Sequence, residues 1–265
     1  MTPQNLVEKY FKDLTDPPLL LQKIEWTKKY ARFALISQED IILSGQEIFE
    51  RSLRFLDIDT KITWHIQSGD LALKNQVIAS ISGQLISILT VQDIALHFLA
   101  HLSGVATLAR CYSNLSNNCT FQSHQINYSD MNELENKALQ DGQVNPVRQN
   151  QQNFFYFLEA HQSMSKNFNE LFIETKNNSG KPVFLEVQTP EFFQANPELQ
   201  GNHCILSGWT IEQLTQLDPA HRQLEICGYY SLEDIMELLK LGFTRFSIHG
   251  LKTSAPTASL QLVME

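Results

Sequence analysis

Three residues on one predicted helix could together bind a metal ion. Asp93, His97 and His101 follow one another at intervals of four residues, which places their side chains one above another on a helix face. A carboxylate and two imidazoles suit zinc or a similar metal. No further ligand and no residue that would orient these side chains is evident, and a polar face at a domain or dimer contact explains the same spacing. We favour the polar face and predict no metal site.

A second set of chemically capable residues lies near segments predicted to be strands. Glu186 is the single acid in the apolar run Val183–Val187, where it indicates either a structural ion pair or a catalytic carboxylate. His161 is either an ordinary residue at the start of a helix or a catalyst. Arg148 lies in the polar segment 140–153, where a solvated side chain and a ligand contact are equally consistent with the sequence.

The bulk composition excludes several classes of protein. The 265 residues are 43% hydrophobic and 18% charged, which is ordinary for a globular protein of one large or two modest domains. The formal net charge of −9 argues against nucleic acid or an anionic membrane as the main partner. We expect no signal peptide, because no basic segment precedes an apolar run at the start. We also expect no membrane span, because polar residues interrupt the longest apolar region, 78–109.

The cysteines indicate the cellular compartment. Cys111, Cys119, Cys204 and Cys227 are scattered along the chain, without a Cys-x-x-Cys pair and without neighbouring ligand residues. Such cysteines are typical of reduced thiols in a reducing compartment. The sequence therefore predicts a cytoplasmic protein without a metal centre at its cysteines.

The helix that carries Asp93 is the clearest element in the sequence. Within Ile88–Arg110 the apolar residues recur at helical spacing, which predicts one face buried against a core. Thr90, followed three residues later by Asp93, is expected to cap the start of the helix. The opposite, polar face is expected to include Gly104 together with the acid and the two histidines.

The part of the chain before this helix predicts an α+β layer. Helical and strand-like segments are mixed there and are separated by Gly and polar turns. The predicted helices are Leu19–Tyr30 and Gln46–Leu56, and the predicted strands are Ile62–Ile66, Gln76–Ile81 and Gln84–Leu89.

The part after Asn153 predicts a parallel α/β barrel. Short apolar runs alternate with helical segments, and the later runs recur about every 20 residues, as buried parallel strands with covering helices would. The predicted strands are Phe154–Leu158, Val183–Val187, His203–Leu206, Leu224–Cys227 and Arg245–Ile248. The predicted helices are residues 161–173, a segment starting at Glu191–Phe193, Trp209–Leu217 and Ser231–Leu241. In such barrels the chemistry lies at the carboxyl ends of the strands.

The central helix also resembles the signature helix of quinolinate phosphoribosyltransferases. The family pattern reads Leu-Leu-Thr-x-Glu-Arg-x-Ala-Leu-Asn-x-Leu-x-x-Leu-Ser-Gly-Ile-Ala-Thr. The match fails where Gln92–Asp93 replace Glu-Arg, and it is good at ten positions: Leu89, Thr90, Ala95, Leu96, Leu99, Leu102, Ser103, Gly104, Ala106 and Thr107. Leu224–Pro256 is similar to the family's Leu-Glu-x-Ser-Gly-Gly-Ile and Ile-Ser-x-Gly-x-Leu-Thr-His-Ser-Ala-Pro segments. Weaker similarity extends the resemblance over nearly the whole chain, at Asp13, Thr15, Gly45 and Gly69–Asp70.

The resemblance implies an architecture and a reaction. Members of the family combine an N-terminal α+β sandwich layer with a C-terminal open parallel α/β barrel, the type II phosphoribosyltransferase fold. We therefore expect domains at 1–110 and 111–265, with the last residues returning to the first domain, in a homodimer whose partner closes each active site. The family reaction joins quinolinate to phosphoribosyl pyrophosphate and releases pyrophosphate and carbon dioxide, giving nicotinate mononucleotide. The resemblance implies no tightly bound cofactor, with Mg²⁺ needed only if this reaction persists.

Some family positions are retained. The resemblance implies that Glu186 matches the family's glutamate of Val-Glu-Val and that Arg148 matches the arginine of its His-Arg pair, which makes both candidate catalytic residues. The resemblance also implies a set of binding positions: His161, Glu225, Gly228, Ser247 and Gly250.

Most family positions that receive anions are replaced. In the family alignment the replaced positions are Asp93, Gln125, Ile126, Val147, Leu158, Ser207 and His249, and Tyr229 stands in the phosphate turn. The change of arginine to Asp93 removes two units of positive charge, and the changes to Gln125, Ile126 and Leu158 remove one each. At about 1 kcal/mol per screened contact, these losses lower the affinity for two anionic substrates by several orders of magnitude. Arg148, Lys137 and Lys252 remain nearby in sequence as cations that could compensate.

Three interpretations of function remain open. The first is an active phosphoribosyltransferase in or near NAD biosynthesis. The second is a degenerate homologue that keeps the fold and the dimer and serves as a binding or regulatory partner. The third is a changed enzyme or binder whose less anionic ligand, such as a small carboxylate or phosphate, occupies a drier pocket beside Ile126, Val147 and Leu158. The chemistry of the replaced residues favours the second.

Overall fold

The computed structural model describes residues 2–12, 29–124, 130–146, 153–164, 166–219 and 223–265, which form two compact units. The first unit contains residues 2–12, 29–111, 130–144 and 251–265, and the second contains the other described residues. The strands are β1 (Tyr30–Ser37), β2 (Ile41–Ile42), β3 (Lys61–Trp64), β4 (Leu71–Ala72), β5 (Val77–Gln84), β6 (Thr120–Ser123), β7 (Phe155–Leu158), β8 (Val183–Val187), β9 (His203–Ser207), β10 (Gln223–Gly228), β11 (Arg245–Ile248) and β12 (Leu260–Met264).

Helices connect and cover these strands. The α-helices are α1 (Pro3–Phe11), α2 (Gln46–Leu53), α3 (Leu85–Ser113), α4 (Asn132–Asp141), α5 (Phe168–Asn178), α6 (Pro190–Ala195), α7 (Ile211–Leu214) and α8 (Leu232–Lys240). Two 3₁₀ turns lie at Glu159–Met164 and Pro197–Leu199.

The first unit contains an antiparallel sheet in the order β12-β1-β5-β3. The prediction of two strands at Gln76–Ile81 and Gln84–Leu89 is wrong, because one strand, β5, runs through to Gln84 and α3 follows directly. Gly83, which resembled a turn, lies within the strand, where a Cβ would come within 2.7 Å of Thr60 Oγ1. The predicted helix Leu19–Tyr30 lies outside the described residues except at its end, where Tyr30 begins β1.

Helix α3 buries the face that its periodicity predicts. Val91, Ala95, Leu99, Val105 and Ala106 are fully buried within the protein. Among the described residues only this helix is long and apolar enough to cross a membrane, with a mean hydropathy of 1.6 in its most apolar window. Since 56% of that window is buried, its burial fits the core helix of a folded domain.

Two details of the helix prediction are wrong. Thr90 does not cap the helix, because α3 begins at Leu85 and the Thr90 hydroxyl donates to the carbonyl oxygen of Ile86 inside the helix. Gly104 does not lie on a polar face, because a Cβ there would come within 2.0 Å of the carbonyl oxygen of Pro256. The residue is glycine since the returning C-terminal segment packs directly on the helix backbone.

The first unit also includes residues that the sequence assigned to the barrel. Helix α4 belongs to it, because the Ser44 hydroxyl and the Arg110 guanidinium both donate hydrogen bonds to Asp141, at 2.7 and 2.8 Å. At the other end of the chain, β12 pairs with β1 from Phe33↔Met264 to Ser37↔Leu260. After the domain boundary expected near residue 110, the chain therefore returns to the first unit twice, once at α4 and once at β12.

Lys252 is buried in the first unit. Its side chain is enclosed against α4, where its ammonium donates to Asn132 Oδ1 at 2.8 Å and to Asn136 Oδ1 at 2.6 Å. Burial lowers the pKa of this ammonium from its ordinary value, and the neighbouring Glu135 opposes that effect. The lysine is thus held by two amide oxygens within its own unit.

The second unit is a six-stranded parallel sheet in the order β6-β11-β10-β9-β8-β7. All five strands predicted after Asn153 are present, with helices between them, so the α/β class with an open parallel sheet is confirmed. The helix predicted at 161–173 is wrong, because a 3₁₀ turn ends at Met164 and α5 starts only at Phe168. Strand β6 was not predicted, since Thr120–Ser123 is short and mostly polar.

Gly104→Ala should destabilise the protein by about 2 kcal/mol. The overpacking against a backbone oxygen costs about 3 kcal/mol, and the better helix propensity of alanine returns about 1 kcal/mol. Urea denaturation monitored by circular dichroism measures the difference. The matched control is Gly201→Ala, because no atom lies within 4 Å of a Cβ at Gly201, and this change should stay within about 0.5 kcal/mol. Equal stability of the two variants would contradict the close contact.

Lys252→Met should remove a pH-dependent part of the unfolding free energy. Because the folded-state pKa of Lys252 is lowered, the unfolded chain holds more protons in the range just below pH 10.5, and the stability of the wild type rises with pH there. The wild type should therefore gain stability relative to the variant as the pH rises toward 10.5, measured by denaturant unfolding. The control Lys61→Met, an exposed lysine of β3, corrects for the loss of a charge, and parallel curves for both variants would refute the role of burial.

Candidate functional site

The parallel register brings the carboxyl ends of the strands in the second unit to one edge of the sheet. Ser123 and Gly228 both pair with Ile248, Cys227 pairs with Ser207, and further along the sheet Leu158 pairs with Glu186. Since side chains alternate between faces with a period of two, the residues at this edge fall into two sets. One set includes Gln122 and His124, Glu225 and Cys227, and Ser247 and His249.

A polar network occupies the middle of that face. The carboxylate of Glu225, which is buried, accepts hydrogen bonds from Gln122 Nε2 at 2.6 Å and Ser247 Oγ at 2.5 Å. Its other oxygen lies 2.9 Å from Nε2 of His203. Because His203 and Arg245 are the first residues of β9 and β11, the network extends toward the amino ends of the strands.

The polar network holds two of the expected binding residues within the sheet. Glu225 and Ser247 form hydrogen bonds with one another and with their neighbours there, as buried polar groups normally do. They therefore join strands β6, β9, β10 and β11 in the interior of the unit, while the residues that follow the strands form its edge.

The carboxyl edge itself carries little positive charge. The last residue of each strand and the residue after it include neither Lys nor Arg; they are Ser123, His124, Leu158, Glu159, Val187, Gln188, Ser207, Gly208, Gly228, Tyr229, Ile248 and His249. The acids Glu159 and Glu186 lie at the same edge. In the described part of the chain, the strand ends therefore present apolar, hydroxyl and imidazole groups.

Glu186 lies at the end of β8 and is half-buried. Its Oε1 accepts a hydrogen bond from Gln188 Nε2 at 3.3 Å. Burial, and then the charge of Glu186, raise the pKa of the Tyr156 phenol well above its usual range. That phenolic oxygen is buried without a hydrogen-bond partner among the described residues. A carboxylate and a neutral phenol thus face the same space.

His161 and Glu159 hold the end of β7. The Nδ1 atom of His161 accepts a hydrogen bond from the Leu158 backbone at 3.2 Å. The Glu159 carboxylate accepts from the backbone N–H groups of Gln188 and Thr189 and from the Thr189 hydroxyl. These contacts give both residues a positioning role at the edge of the sheet, and Glu159 was not singled out by the sequence.

The glycines at the edge are required by close packing and by backbone conformation. A Cβ at Gly228 would lie 2.9 Å from the ring of Tyr230, whose hydroxyl donates to the Trp209 carbonyl oxygen. Gly250 has a φ of +80°, a left-handed conformation that favours glycine. Between them stands His249, with Tyr229 packed edge-on against its ring at 5.0 Å.

Three side chains converge at the ends of β6, β10 and β11. His249 Nε2 lies 3.3 Å from Cys227 Sγ, and the rings of His124 and His249 are stacked with their centroids 4.7 Å apart. The ligand atoms of all three side chains lie within 4.8 Å of one another. Burial, then the charge of His124, lower the pKa of the His249 imidazole, which favours its neutral form.

The expectation that no ligand residues adjoin the cysteines is therefore wrong for Cys227. His124 and Cys227 were missed as a pair because strand β6 was not recognised, so the register that aligns His124 with His249 could not be inferred. The sequence does contain one signal for this cluster. It is a short polar run that ends in a histidine, combined with a separate strand that contains a cysteine.

The helical candidate site does not assemble in the same way. His101 Nε2 lies 3.1 Å from Oε1 of the buried Glu135, whereas Asp93 and His97 are exposed. In the described portion of the structure, the cluster of His124, Cys227 and His249 is the group with ligand spacing. Other candidate positions lie outside the described residues: Asp13, Thr15, Gln125, Ile126, Val147 and Arg148.

Comparisons with known proteins show what parts of this chain are similar to. Residues 20–103 match the family model of the quinolinate phosphoribosyl transferase N-terminal domain. A quinolinate phosphoribosyltransferase [decarboxylating] 1b of Nicotiana tabacum is 27% identical over 85 residues, which cover 32% of this chain and 24% of the relative. A probable nicotinate-nucleotide pyrophosphorylase [carboxylating] of Bacillus subtilis is 28% identical over 76 residues, covering 29% of this chain and 26% of the relative. The matched segments thus span about a quarter of these relatives.

A solved structure extends the likeness to the whole fold. The nicotinate-nucleotide pyrophosphorylase of Ehrlichia chaffeensis matches with a TM-score of 0.84 and 17% identity, covering 100% of this chain and 99% of that one. At that identity the match concerns the fold. Residues 20–103 thus resemble the N-terminal domain of quinolinate phosphoribosyltransferases, and the whole chain shares the fold of a nicotinate-nucleotide pyrophosphorylase.

Proposed function

We propose that this protein keeps the family fold but does not transfer a phosphoribosyl group to quinolinate, and that it binds a small, weakly charged molecule at the carboxyl edge of its parallel sheet. The observation that carries the proposal is the composition of that edge. The strand ends include Leu158, Ser207 and His249 at positions where the resemblance implies a lysine, an aspartate and a glycine. This is the degenerate homologue favoured by the sequence, with a binding role.

The electrostatic argument supports the loss of the reaction. A dicarboxylate and a polyphosphate share one pocket only when cations lie among them, since several buried negative charges repel at short distance. The residues that end the strands offer no such cation, while Glu159 and Glu186 add negative charge. Lys252, one of the cations that remain nearby in sequence, is buried against Asn132 and Asn136.

The steric argument supports the same conclusion. A phosphate approaches backbone N–H groups where glycines leave them uncovered. Here Tyr229 and His249 place side chains beside Gly228, and their rings pack against each other. The side chains that replace the glycines therefore occupy part of the space that a phosphate would need.

The same edge suits a less anionic ligand. Leu158 supplies apolar surface, and the Glu186 carboxylate and the Tyr156 phenol add a few polar groups near it. A mostly apolar surface with a few polar groups is typical of small-molecule sites. A carboxylate or phosphate with a single anionic group fits this description better than quinolinate with phosphoribosyl pyrophosphate.

A second candidate function is a phosphoribosyltransferase of altered substrate. The retention of Glu186 at the strand end, half-buried beside a phenol, favours it. In that case the pyrophosphate substrate would enter as its Mg²⁺ complex, and cations from outside the strand ends would have to bind it. Participation in NAD biosynthesis belongs to this candidate alone.

Calorimetric titration with quinolinate and with phosphoribosyl pyrophosphate plus Mg²⁺ should show dissociation constants of about 1 mM or weaker, because the cationic contacts are missing. No nicotinate mononucleotide should form when both are present, as measured by chromatography. Micromolar binding of both compounds together with product formation would overturn the proposal in favour of the second candidate.

A charge-restoring variant sharpens that experiment. Leu158→Lys should tighten binding of phosphoribosyl pyrophosphate roughly fivefold, since one screened contact contributes about 1 kcal/mol. The matched control Leu158→Met changes shape without charge and should leave the affinity unchanged. A gain in both variants would show that packing, and not charge, limits the binding.

We further propose a homodimer in the cytoplasm. The resemblance implies the dimer, and the four cysteines, none of which forms a disulfide, are consistent with a reducing compartment. Light scattering coupled to gel filtration should give twice the 30.3 kDa of the chain. A single-chain mass at all concentrations would reject the dimer, and a heavier species isolated from native cells would indicate a different partner.

A further inference from the structure

The cluster at the ends of β6, β10 and β11 is built from the backbone outward. The backbone N–H of His124 donates to the Ile248 carbonyl oxygen at 3.2 Å, and that of His249 donates to Gly228 at 2.8 Å. The carbonyl oxygen of Cys227 accepts from Gly208 N at 2.8 Å. Continued ladder hydrogen bonds therefore fix the three backbone segments relative to one another, which pre-organises the side chains that they carry.

The side chains differ in their exposure in a way that suits a metal site. Cys227 is fully buried and packs with Phe184 and Ile205, while His124 and His249 are half-buried. The thiol thus lies in an apolar layer, and the two partly exposed imidazoles lie beside it. The hydrophobic layer excludes water from the sulfur and strengthens any electrostatic interaction there.

We propose that His124, Cys227 and His249 bind a divalent transition metal, best fitted by zinc, with one coordination position open at the carboxyl edge of the sheet. A thiolate and two imidazoles are the ligand types that zinc prefers, and three protein ligands with an open fourth position are typical of zinc sites that bind a further molecule. The protein ligands come from three adjacent strands, and no relative's name assigns a metal here.

The distances fit this coordination. With Zn–S near 2.3 Å and Zn–N near 2.05 Å, tetrahedral ligands lie about 3.5 Å apart. Cys227 Sγ and His249 Nε2 are separated by 3.3 Å, and every pair of ligand atoms in the cluster falls within 4.8 Å. Small rotations of the imidazole rings would bring the wider pairs to the coordinating distance, since the second side-chain torsion of histidine has a broad energy well.

The open position defines the chemistry that such a metal supports. It would take water or one oxygen donor of a small molecule, such as a carboxylate, which the positive ion attracts. Glu186 lies near enough to influence His249 electrostatically. The inference goes beyond the proposed function and stands apart from it, because metal binding is measured without any organic ligand.

Metal content tests the site directly. Untagged protein, stripped with chelator and reconstituted with Zn²⁺, should retain close to one equivalent per chain after gel filtration, as measured by plasma mass spectrometry. Reconstitution with Co²⁺ should give a thiolate-to-cobalt charge-transfer band and the intense visible bands of tetrahedral coordination. Cys227→Ser should abolish the charge-transfer band, and His249→Gln should weaken zinc binding at least tenfold.

Matched variants separate the site from adventitious binding. Cys204→Ser changes a buried cysteine on the neighbouring strand β9, and His97→Gln changes an exposed histidine; both should bind metal like the wild type. Circular dichroism and urea midpoints establish that each variant is folded. Less than a tenth of an equivalent in the reconstituted wild type, or equal retention by the Cys227 and Cys204 variants, would overturn the proposal. Neither result bears on whether quinolinate binds.

Discussion

The second unit depends on the in-register parallel pairing of its six strands. Parallel hydrogen bonding requires each strand to return to the same edge through a covering helix, so every strand ends on the same side of the sheet. That constraint brings residues from distant parts of the sequence together: His124 and His249 become neighbours because Ser123 and Ile248 are paired. The buried network around Glu225 reinforces the pairing, since one carboxylate joins side chains from three other strands.

The same constraint explains why substitution at strand ends changes function without changing the fold. A residue at the last position of a strand, or just after it, holds the sheet through its backbone, whereas its side chain faces whatever binds at the edge. Leu158, Ser207 and His249 all occupy such positions. The contacts that hold this edge together, such as Glu159 with the start of α6 and Tyr230 with Trp209, use other residues. Within a few residues of each strand end, the side chains that face a ligand are thus different from the side chains that hold the fold together.

The sequence predicted what depends on local periodicity. The buried strands after Asn153, the apolar face of α3 and the helix predicted at Ser231–Leu241 follow from residue patterns that span one element. It failed where a distant segment decides the structure. Gly83 and Gly104 are glycines because Thr60 and Pro256, respectively, pack against them. Strand β6 forms, although its residues are mostly polar, because it pairs with β11. The cluster around Cys227 was missed for the same reason: its ligands are adjacent only in the register of the sheet.

The return of the C-terminus to the first sheet has a consequence for the order of folding. Strand β1 pairs on one side with β5, which is close in sequence, and on the other with β12, more than two hundred residues later. The edge of β1 stays unpaired during synthesis until β12 leaves the ribosome, so the first sheet is completed after the strands of the second unit have been made. Such long-range pairing slows folding and leaves a strand edge exposed to other chains in the interval. A truncation of only the last few residues would prolong that exposure indefinitely.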